Sequence, residues 1–130
     1  MHFTITSTQN PKIKNLLALE KPRERRKLGL FVVEGRKEIG LALDAGYKLE
    51  NVFFCEELIE PQELGKFSFP DKVLISVSRE VFDKIAIRES SGGLLAVAQQ
   101  KSHPLDFIRL SANPLVLVLE SVEKPGNLGA

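Results

Sequence analysis

Four short apolar runs, separated by segments of helical or turn character, are the feature that most limits how this chain can fold. The runs are rich in β-branched and aromatic residues, which is typical of strands inside a sheet. Helices that connect such strands cover the faces of the sheet. The pattern therefore predicts an α/β domain in three layers, with strands at residues 30–33, 51–55, 72–77 and 94–99.

Helix signals precede the first of these strands. Asn10 is a suitable N-cap, and Pro11 fits the first helical position, where its missing N–H costs nothing. Ile13 and Leu16 then lie on one face of a helical turn. A helix is therefore predicted within residues 7–21.

The ends of three further helices can also be predicted. Pro22 and Gly29 bound a short second helix, because proline suits a helix start and glycine suits a helix stop. A third helix is expected at residues 36–45. Ser78 is expected to cap a fourth helix that runs to Ile85.

Charge is distributed unevenly along the chain. The net charge of all 130 residues is +1, yet residues 1–37 hold nine basic and three acidic side chains and residues 38–130 carry a net −5. A basic surface on a near-neutral protein indicates a polyanionic partner, of which nucleic acid is the commonest. A solvated helix face without any partner explains the same charge equally well.

Residues 115–119 form a fifth apolar run that resembles a central strand. A parallel neighbour would need a connection of about a dozen residues or more, and too few residues follow. We therefore expect the chain to be a fragment that ends just inside a second domain. The expected first domain spans residues 1–100, and the polar residues 101–113 are the expected linker.

Four blocks of sequence, in the same order, resemble the SpoU/TrmH-type enzymes, the RNA 2′-O-ribose methyltransferases of the knotted SPOUT superfamily. The resemblance to their N-terminal RNA-binding domain lies in ITSTQNPKIKNLLAL with RERRKLG, in LFVVEGRKEIGLALDAG, and in ISVSREVFDKI with SSGGLLAVAQ. The resemblance to the first motif of their catalytic domain lies in LVLVLESVEKPGNLGA. It implies a three-layer α/β/α sandwich of the type found in kink-turn-binding ribosomal proteins, preceded by basic helices.

The resemblance also implies where RNA is bound and which residue belongs to the catalytic motif. RNA contacts are expected from the basic helices, from the first strand–helix junction and from the loop at residues 88–93. The residues expected to contact RNA are Lys12, Lys14, Arg23, Arg25, Arg26, Lys27, Glu34, Gly35, Arg36, Lys37 and Arg88. Asn127 matches the motif asparagine that helps to arrange a catalytic arginine, and that arginine would lie beyond Ala130. Lys124 stands where the family usually has an acidic residue.

For the full-length protein, the resemblance implies S-adenosylmethionine as cofactor and a homodimer formed through the missing domain. Residues 114–130 would be the truncated start of that methyltransferase domain. The fragment itself is expected to bind no cofactor, to be inactive and to be monomeric. Its expected partner is structured RNA, ribosomal rather than transfer RNA, because enzymes with this appended domain commonly act on ribosomal RNA.

Glu34 is an unusual residue for a phosphate site. A role as an N-terminal cap, or a salt bridge to Arg26 or Arg36, fits the sequence as well as a contact with a base.

Composition excludes several other classes of protein. One cysteine and two isolated histidines do not make a metal site, and none is expected. The longest apolar run has five residues, far below the roughly 20 that a membrane helix needs. No apolar signal segment follows Met1, so a cytoplasmic protein is expected.

Two alternatives to the methyltransferase interpretation remain open from the residues alone. One is a non-catalytic RNA-binding protein of the kink-turn type, although such a protein would not need the strand and glycine-rich turn at residues 115–130. The other is a structural α/β domain that mediates dimerisation, with the basic segment merely solvated.

Overall fold

The computed structural model describes residues 3–89, 91–124 and 128. Its centre is one mixed sheet of five strands in the order β1-β4-β3-β5-β2. Strands β1, β3 and β4 pair in parallel, whereas β5 is antiparallel to both β3 and β2. The strands are β1 (Thr4–Ile5), β2 (Leu30–Glu34), β3 (Leu49–Phe54), β4 (Leu74–Val77) and β5 (Leu94–Gln99).

Within residues 3–89 and 91–124, five α-helices and two short 3₁₀ turns connect or follow these strands. The turns lie at Asp71–Val73 and Leu105–Phe107. The first of these 3₁₀ turns includes residues 72 and 73, which the sequence predicts to begin the strand at 72–77. Strand β4 therefore starts two residues later than expected. The helices are α1 (Pro11–Ala18), α2 (Pro22–Leu28), α3 (Arg36–Asp44), α4 (Pro61–Gly65) and α5 (Arg79–Ile85).

The predicted helix ends are confirmed where a local side chain determines them. The Asn10 side chain accepts a hydrogen bond from the Lys12 backbone N–H at 2.9 Å and caps α1, which begins at Pro11, four residues after the start of the segment predicted for it. The Ser78 hydroxyl likewise accepts from the Val81 N–H at 3.3 Å and begins α5. Gly29 ends α2 in the left-handed conformation, as the glycine signal predicts.

Two apolar clusters, one on each face of the sheet, confirm the predicted three layers. Successive residues of β3 alternate between them, because side chains of a strand point to opposite faces. Phe53 packs with α1 and α5 on one face, whereas Val52 and Phe54 pack with α3 on the other. Both phenylalanines are therefore core residues. The kink-turn-binding type of this sandwich stays a prediction.

Strand β2 differs from its prediction. Its apolar sequence predicts a central strand buried on both faces, yet it lies at the edge of the sheet and all its residues are only half-buried. Its two faces do contact the two apolar clusters, through Val32 on one side and Val33 on the other. The apolar run therefore reflects helices on both faces and gives no information about the open outer edge.

The segment after residue 100 also differs from expectation. Residues 115–119 form no strand and are exposed, from 49% at Leu119 to 98% at Leu115. A 3₁₀ turn at Leu105–Phe107 lies within the segment expected as the linker. Within the described residues this segment pairs with no strand of the sheet, so nothing stabilises an extended ladder there.

Of the helices in the described part of the chain, none has the length and apolar character needed to span a membrane.

Candidate RNA interface

Helix α2 presents its charge to solvent. Each of its seven residues is at least partly exposed, and Leu28 remains 49% exposed. Arg23, Arg26 and Lys27 are fully on the surface and have no acidic partner among the residues that the structure describes. A helix that buries so little gains little from packing. Its cations therefore remain available to a partner.

Lys12 and Lys14 extend this basic surface onto α1. Both are exposed, while Ile13 between them is completely buried beneath the helix. Neither ammonium group has a hydrogen-bond or ion-pair partner in the described part of the chain. We call Lys12, Lys14, Arg23, Arg26 and Lys27 the cationic face.

Arg25 does not share this availability. Its guanidinium Nη1 donates to the backbone oxygens of Leu19 at 2.9 Å and Glu20 at 2.8 Å, which follow the last turn of α1. A cation at a helix C-terminus is also favoured by the helix dipole. Arg25 thus fixes α2 against α1 and positions the cationic face.

The β2–α3 junction is held by Gly35. Its φ of 106° lies in a region that residues with a side chain rarely adopt, and its N–H donates to the Leu94 oxygen at 3.0 Å. The Glu38 carboxylate occupies the space that a Cβ of Gly35 would need. The N-terminus of α3 therefore already carries an acid. The unpaired N–H groups at a helix N-terminus attract anions, and at α3 they meet the Glu38 carboxylate before any phosphate.

Glu34 joins the end of β2 to the loop after α5. Its carboxylate accepts from the backbone N–H of Ile87 at 3.1 Å and of Arg88 at 2.8 Å. Arg88 Nη1 in turn donates to Glu38 Oε1 at 2.8 Å. We call these contacts the Glu34 clasp. Glu34 is neither the N-cap of α3 nor a partner of Arg26 or Arg36 in the described structure, so the predicted cap and salt bridges are wrong.

Arg36 ties the same loop to the chain after β3. Its Nε donates to the Gly92 oxygen at 2.9 Å and its Nη2 to the Leu58 oxygen at 3.1 Å. Its Nη1 lies 3.7 Å from Glu63 Oε2. Like Arg25, Arg36 has its guanidinium engaged by the protein itself.

The clasp makes a prediction for hydrogen exchange. The Glu34→Ala substitution removes the acceptor of two backbone N–H groups, and hydrogen bonds to a charged group contribute about 1.5–3 kcal/mol each. The amides of Ile87 and Arg88 should then exchange at least about tenfold faster, which corresponds to about 1.4 kcal/mol. Amides of β3, such as that of Phe53, serve as the control and should be unaffected. If Glu34→Ala speeds up exchange at Ile87 and Arg88 no more than at Phe53, the clasp does not hold the loop.

A pH dependence follows from the pair Arg88–Glu38. The hydrogen bond from Arg88 holds the pKa of Glu38 below its ordinary value of 4.5, aided by the backbone N–H of Glu38 itself. Because this pKa is depressed by folding, the contact is complete above pH 4.5 and is lost as the pH falls through the lower folded pKa. The Arg88→Gln substitution should raise the pKa of Glu38, measured by NMR titration of its side-chain carboxyl carbon.

Arg79 supplies the control for this titration. It forms a similar exposed pair with Asp83 at 2.9 Å on α5. Arg79→Gln should leave the pKa of Glu38 where it is. A Glu38 pKa that does not move in Arg88→Gln would mean that Arg88 does not stabilise that carboxylate.

The structure thus separates the predicted RNA-contacting residues into two groups. Glu34, Gly35, Arg36 and Arg88 come together at the β2–α3 junction, as the resemblance implies, but their charges are paired. Lys37 is exposed beside them. The remaining cations lie on α1 and α2, and a cavity of about 480 Å³ lined by Arg25, Phe31 and Ile87 lies between the two groups. The predicted catalytic residue, Asn127, lies outside the described residues.

Two partners of the junction were not found from the sequence. Glu38 occupies the first turn of α3, where an acid is expected because it stabilises the helix. The sequence therefore explains an acid at this position, but it does not indicate that this acid pairs with Arg88. The Leu58 carbonyl carries no sequence signal, because any residue supplies one.

Comparison with known proteins identifies this type of domain. Residues 10–96 match the family model of the MRM3-like substrate binding domain. Over 97% of its length the chain is 30% identical to an uncharacterised tRNA/rRNA methyltransferase of Synechocystis, and over 96% it is 26% identical to the 23S rRNA (guanosine(2553)-2′-O)-methyltransferase RlmP of Bacillus subtilis. It covers 46% and 47% of these proteins, so it spans about half their length.

Solved structures agree with the family model. The structure of an RNA 2′-O ribose methyltransferase superposes on 98% of the chain with a TM-score of 0.80 and 38% identity, and the chain covers 49% of it. An AdoMet-bound rRNA methyltransferase of Sinorhizobium meliloti matches 84% of the chain with a TM-score of 0.67 and 26% identity, and the chain covers 41% of it. On the family match over two thirds of its residues, the chain belongs to the MRM3-like substrate binding domains.

Proposed function

We propose that this chain holds structured RNA for a larger enzyme that methylates ribose 2′-hydroxyl groups. The proposal is supported by the substrate-binding family of residues 10–96 and by relatives named as RNA methyltransferases that are about twice as long as the chain. Ribosomal RNA is the proposed substrate, because RlmP and the Sinorhizobium protein are named for it. These names also favour an enzyme component over a stand-alone kink-turn-type RNA-binding protein.

The cationic face is the observation that carries the RNA-binding part of the proposal. Five exposed basic side chains lie on two adjoining helices, without acidic partners among the described residues. Such side chains neutralise phosphates and release counterions when RNA binds. Contacts with phosphates position a folded RNA without reading its sequence. Arg25, Arg36 and Arg88 are proposed as positioning residues, since their guanidinium groups already have protein acceptors.

The exposure of the described residues after Lys101 supports the proposed domain boundaries. Lys101 still contacts the sandwich, since its Nζ lies 4.3 Å from the centre of the Tyr47 ring and donates to the Ala45 oxygen. Residues 102–124 are all exposed. We propose residues 1–100 as the RNA-binding domain, 101–113 as a linker and 114–130 as the start of the catalytic domain, with Asn127 in its first motif.

S-adenosylmethionine is the proposed cofactor of the full-length enzyme, to which it would supply the methyl group. Residues 115–124 are exposed and by themselves enclose no site for it. The cofactor would therefore be bound by residues beyond this chain, which would also form the proposed homodimer. Calorimetry with residues 1–130 should accordingly detect no micromolar binding of S-adenosylmethionine. A cytoplasmic location is part of this proposal, because the enzyme has to reach its RNA.

Binding to a structured ribosomal RNA fragment tests the proposed function. The logarithm of the association constant should fall linearly with the logarithm of the salt concentration, with a slope of about −3 to −5 if the five cations contact phosphates. Fluorescence anisotropy of a labelled RNA between about 50 and 200 mM salt measures this slope. Absent binding at the lowest salt, or binding that does not depend on salt, would contradict the proposal.

A further inference from the structure

A groove beside the cationic face combines an apolar floor with uncommitted polar groups. It has a volume of about 300 Å³ and lies between α1, the end of α2 and the sheet. The floor consists of Leu16, Leu19, Phe53 and Val97, each no more than 5% exposed. Leu28, which is half exposed, forms part of its rim.

The polar groups of the groove come from two elements. Lys12 and Asn15 lie on the same face of α1 as Leu16, since residues three and four apart are neighbours on a helix. Asn51 belongs to β3 and lies on the same side of the sheet as Phe53, two residues further on. Neither asparagine amide has a hydrogen-bond partner among the residues that the structure describes.

From this combination we infer that the groove binds one unpaired nucleotide of the RNA, with its base on the apolar floor. An asparagine amide presents a donor and an acceptor side by side, which matches the edge of a nucleobase. Proteins read RNA mainly at unpaired positions, where bases can be splayed out of the helix. Lys12 lines the groove, and its ammonium group would bind the phosphate of that nucleotide. This inference rests on the proposed RNA-binding function.

Size and charge favour a nucleotide over a peptide as the occupant. Ligand pockets range over roughly 300–1,000 Å³, and a groove at the lower end suits one ring system rather than a stretch of chain. The cationic face borders the groove through Lys12 and continues on α2, which provides attraction for a polyanion. A larger groove of about 600 Å³, lined by Phe54, Ile59 and Phe69 among others, has no Lys or Arg side chain in its lining.

The test uses two RNA hairpins that differ by one nucleotide. One has a fully paired stem, and the other carries a single-nucleotide bulge in the same stem, prepared with each of the four bases. The unmodified 130-residue chain should bind at least one bulged hairpin about tenfold more tightly than the paired one. The double variant Asn15→Ala/Asn51→Ala should lose this preference while it binds the paired hairpin as before. Both substitutions are at positions that are not fully buried, so folding should persist.

Gln62→Ala is the matched control, because it removes an exposed amide on α4 in the opposite layer and should keep the preference. A 2-aminopurine base at the bulge should change its fluorescence on binding to the unmodified chain and not on binding to the double variant. Equal, salt-dependent binding of paired and bulged hairpins, or an unchanged preference in the double variant, would overturn the inference alone. Binding of neither hairpin would overturn the proposed function as well.

Discussion

Replacing Arg23, Arg26 and Lys27 together with glutamate should lower the affinity for structured RNA by about a hundredfold near 100 mM salt. The three side chains are exposed on α2 and form no ion pair with an acidic side chain in the described part of the protein. Reversal replaces three attractions to phosphate with three repulsions. The slope of the salt dependence should become shallower by about two to three, one phosphate contact for each side chain.

The control for this variant has the same change of net charge on the other side of the sheet. Lys48, Lys66 and Lys72 are exposed near α3 and α4, and their replacement by glutamate should change the RNA affinity by less than about fivefold. A thermal unfolding curve of each variant verifies that the domain is folded. Equal losses of affinity in the two triple variants would show that total charge, rather than the cationic face, attracts the RNA.

Predictions from the sequence succeed in this protein where the signal is local. Asn10 caps α1 through the N–H two residues later, and Ser78 caps α5 through the N–H three residues later. Gly29 ends α2 at the residue expected. In each case the residues that determine the helix end are within one turn of one another, so the local sequence is enough to predict it.

The three layers could also be predicted, because strand and helix segments alternate along the chain. The position of β2 at the edge of the sheet could not. Its neighbour β5 lies more than 60 residues later, and its outer edge is open although both of its faces are apolar. Hydrophobicity records what covers the faces of a strand, whereas strand order depends on pairings that the pattern does not specify.

The candidate site shows the same limit at the level of single residues. The sequence places Glu34 and Arg36 at a strand–helix junction, which the structure confirms. Their partners are backbone groups of Arg88 and Gly92, more than 50 residues away. A backbone N–H or carbonyl has no sequence signature. Which cations are engaged by the protein and which remain available could therefore be learned only from the structure.

Gly93 provides the second prediction, a loss of about 2–4 kcal/mol in the free energy of unfolding for Gly93→Ala. Its φ is 76°, which costs about 1–2 kcal/mol for a residue with a Cβ. The added Cβ would also lie 3.0 Å from the carbonyl carbon of Leu58 and 2.6 Å from the Leu58 Cβ. Leu58 follows β3, and its oxygen accepts from Arg36. Backbone at this point cannot move without disturbing the loop that the Glu34 clasp holds.

Gly29→Ala separates the two costs. Gly29 has a φ of 65°, close to that of Gly93, but no atom lies within 4 Å of the position its Cβ would take. Gly29→Ala should therefore lower the free energy of unfolding only by the conformational cost of the positive φ, about 1–2 kcal/mol. Urea unfolding of both variants measures the difference, which is the cost of the contact with Leu58. Equal losses would mean that the segment after β3 yields to the methyl group, and that the junction between Arg36 and residues 91–93 is held by hydrogen bonds alone rather than by close packing.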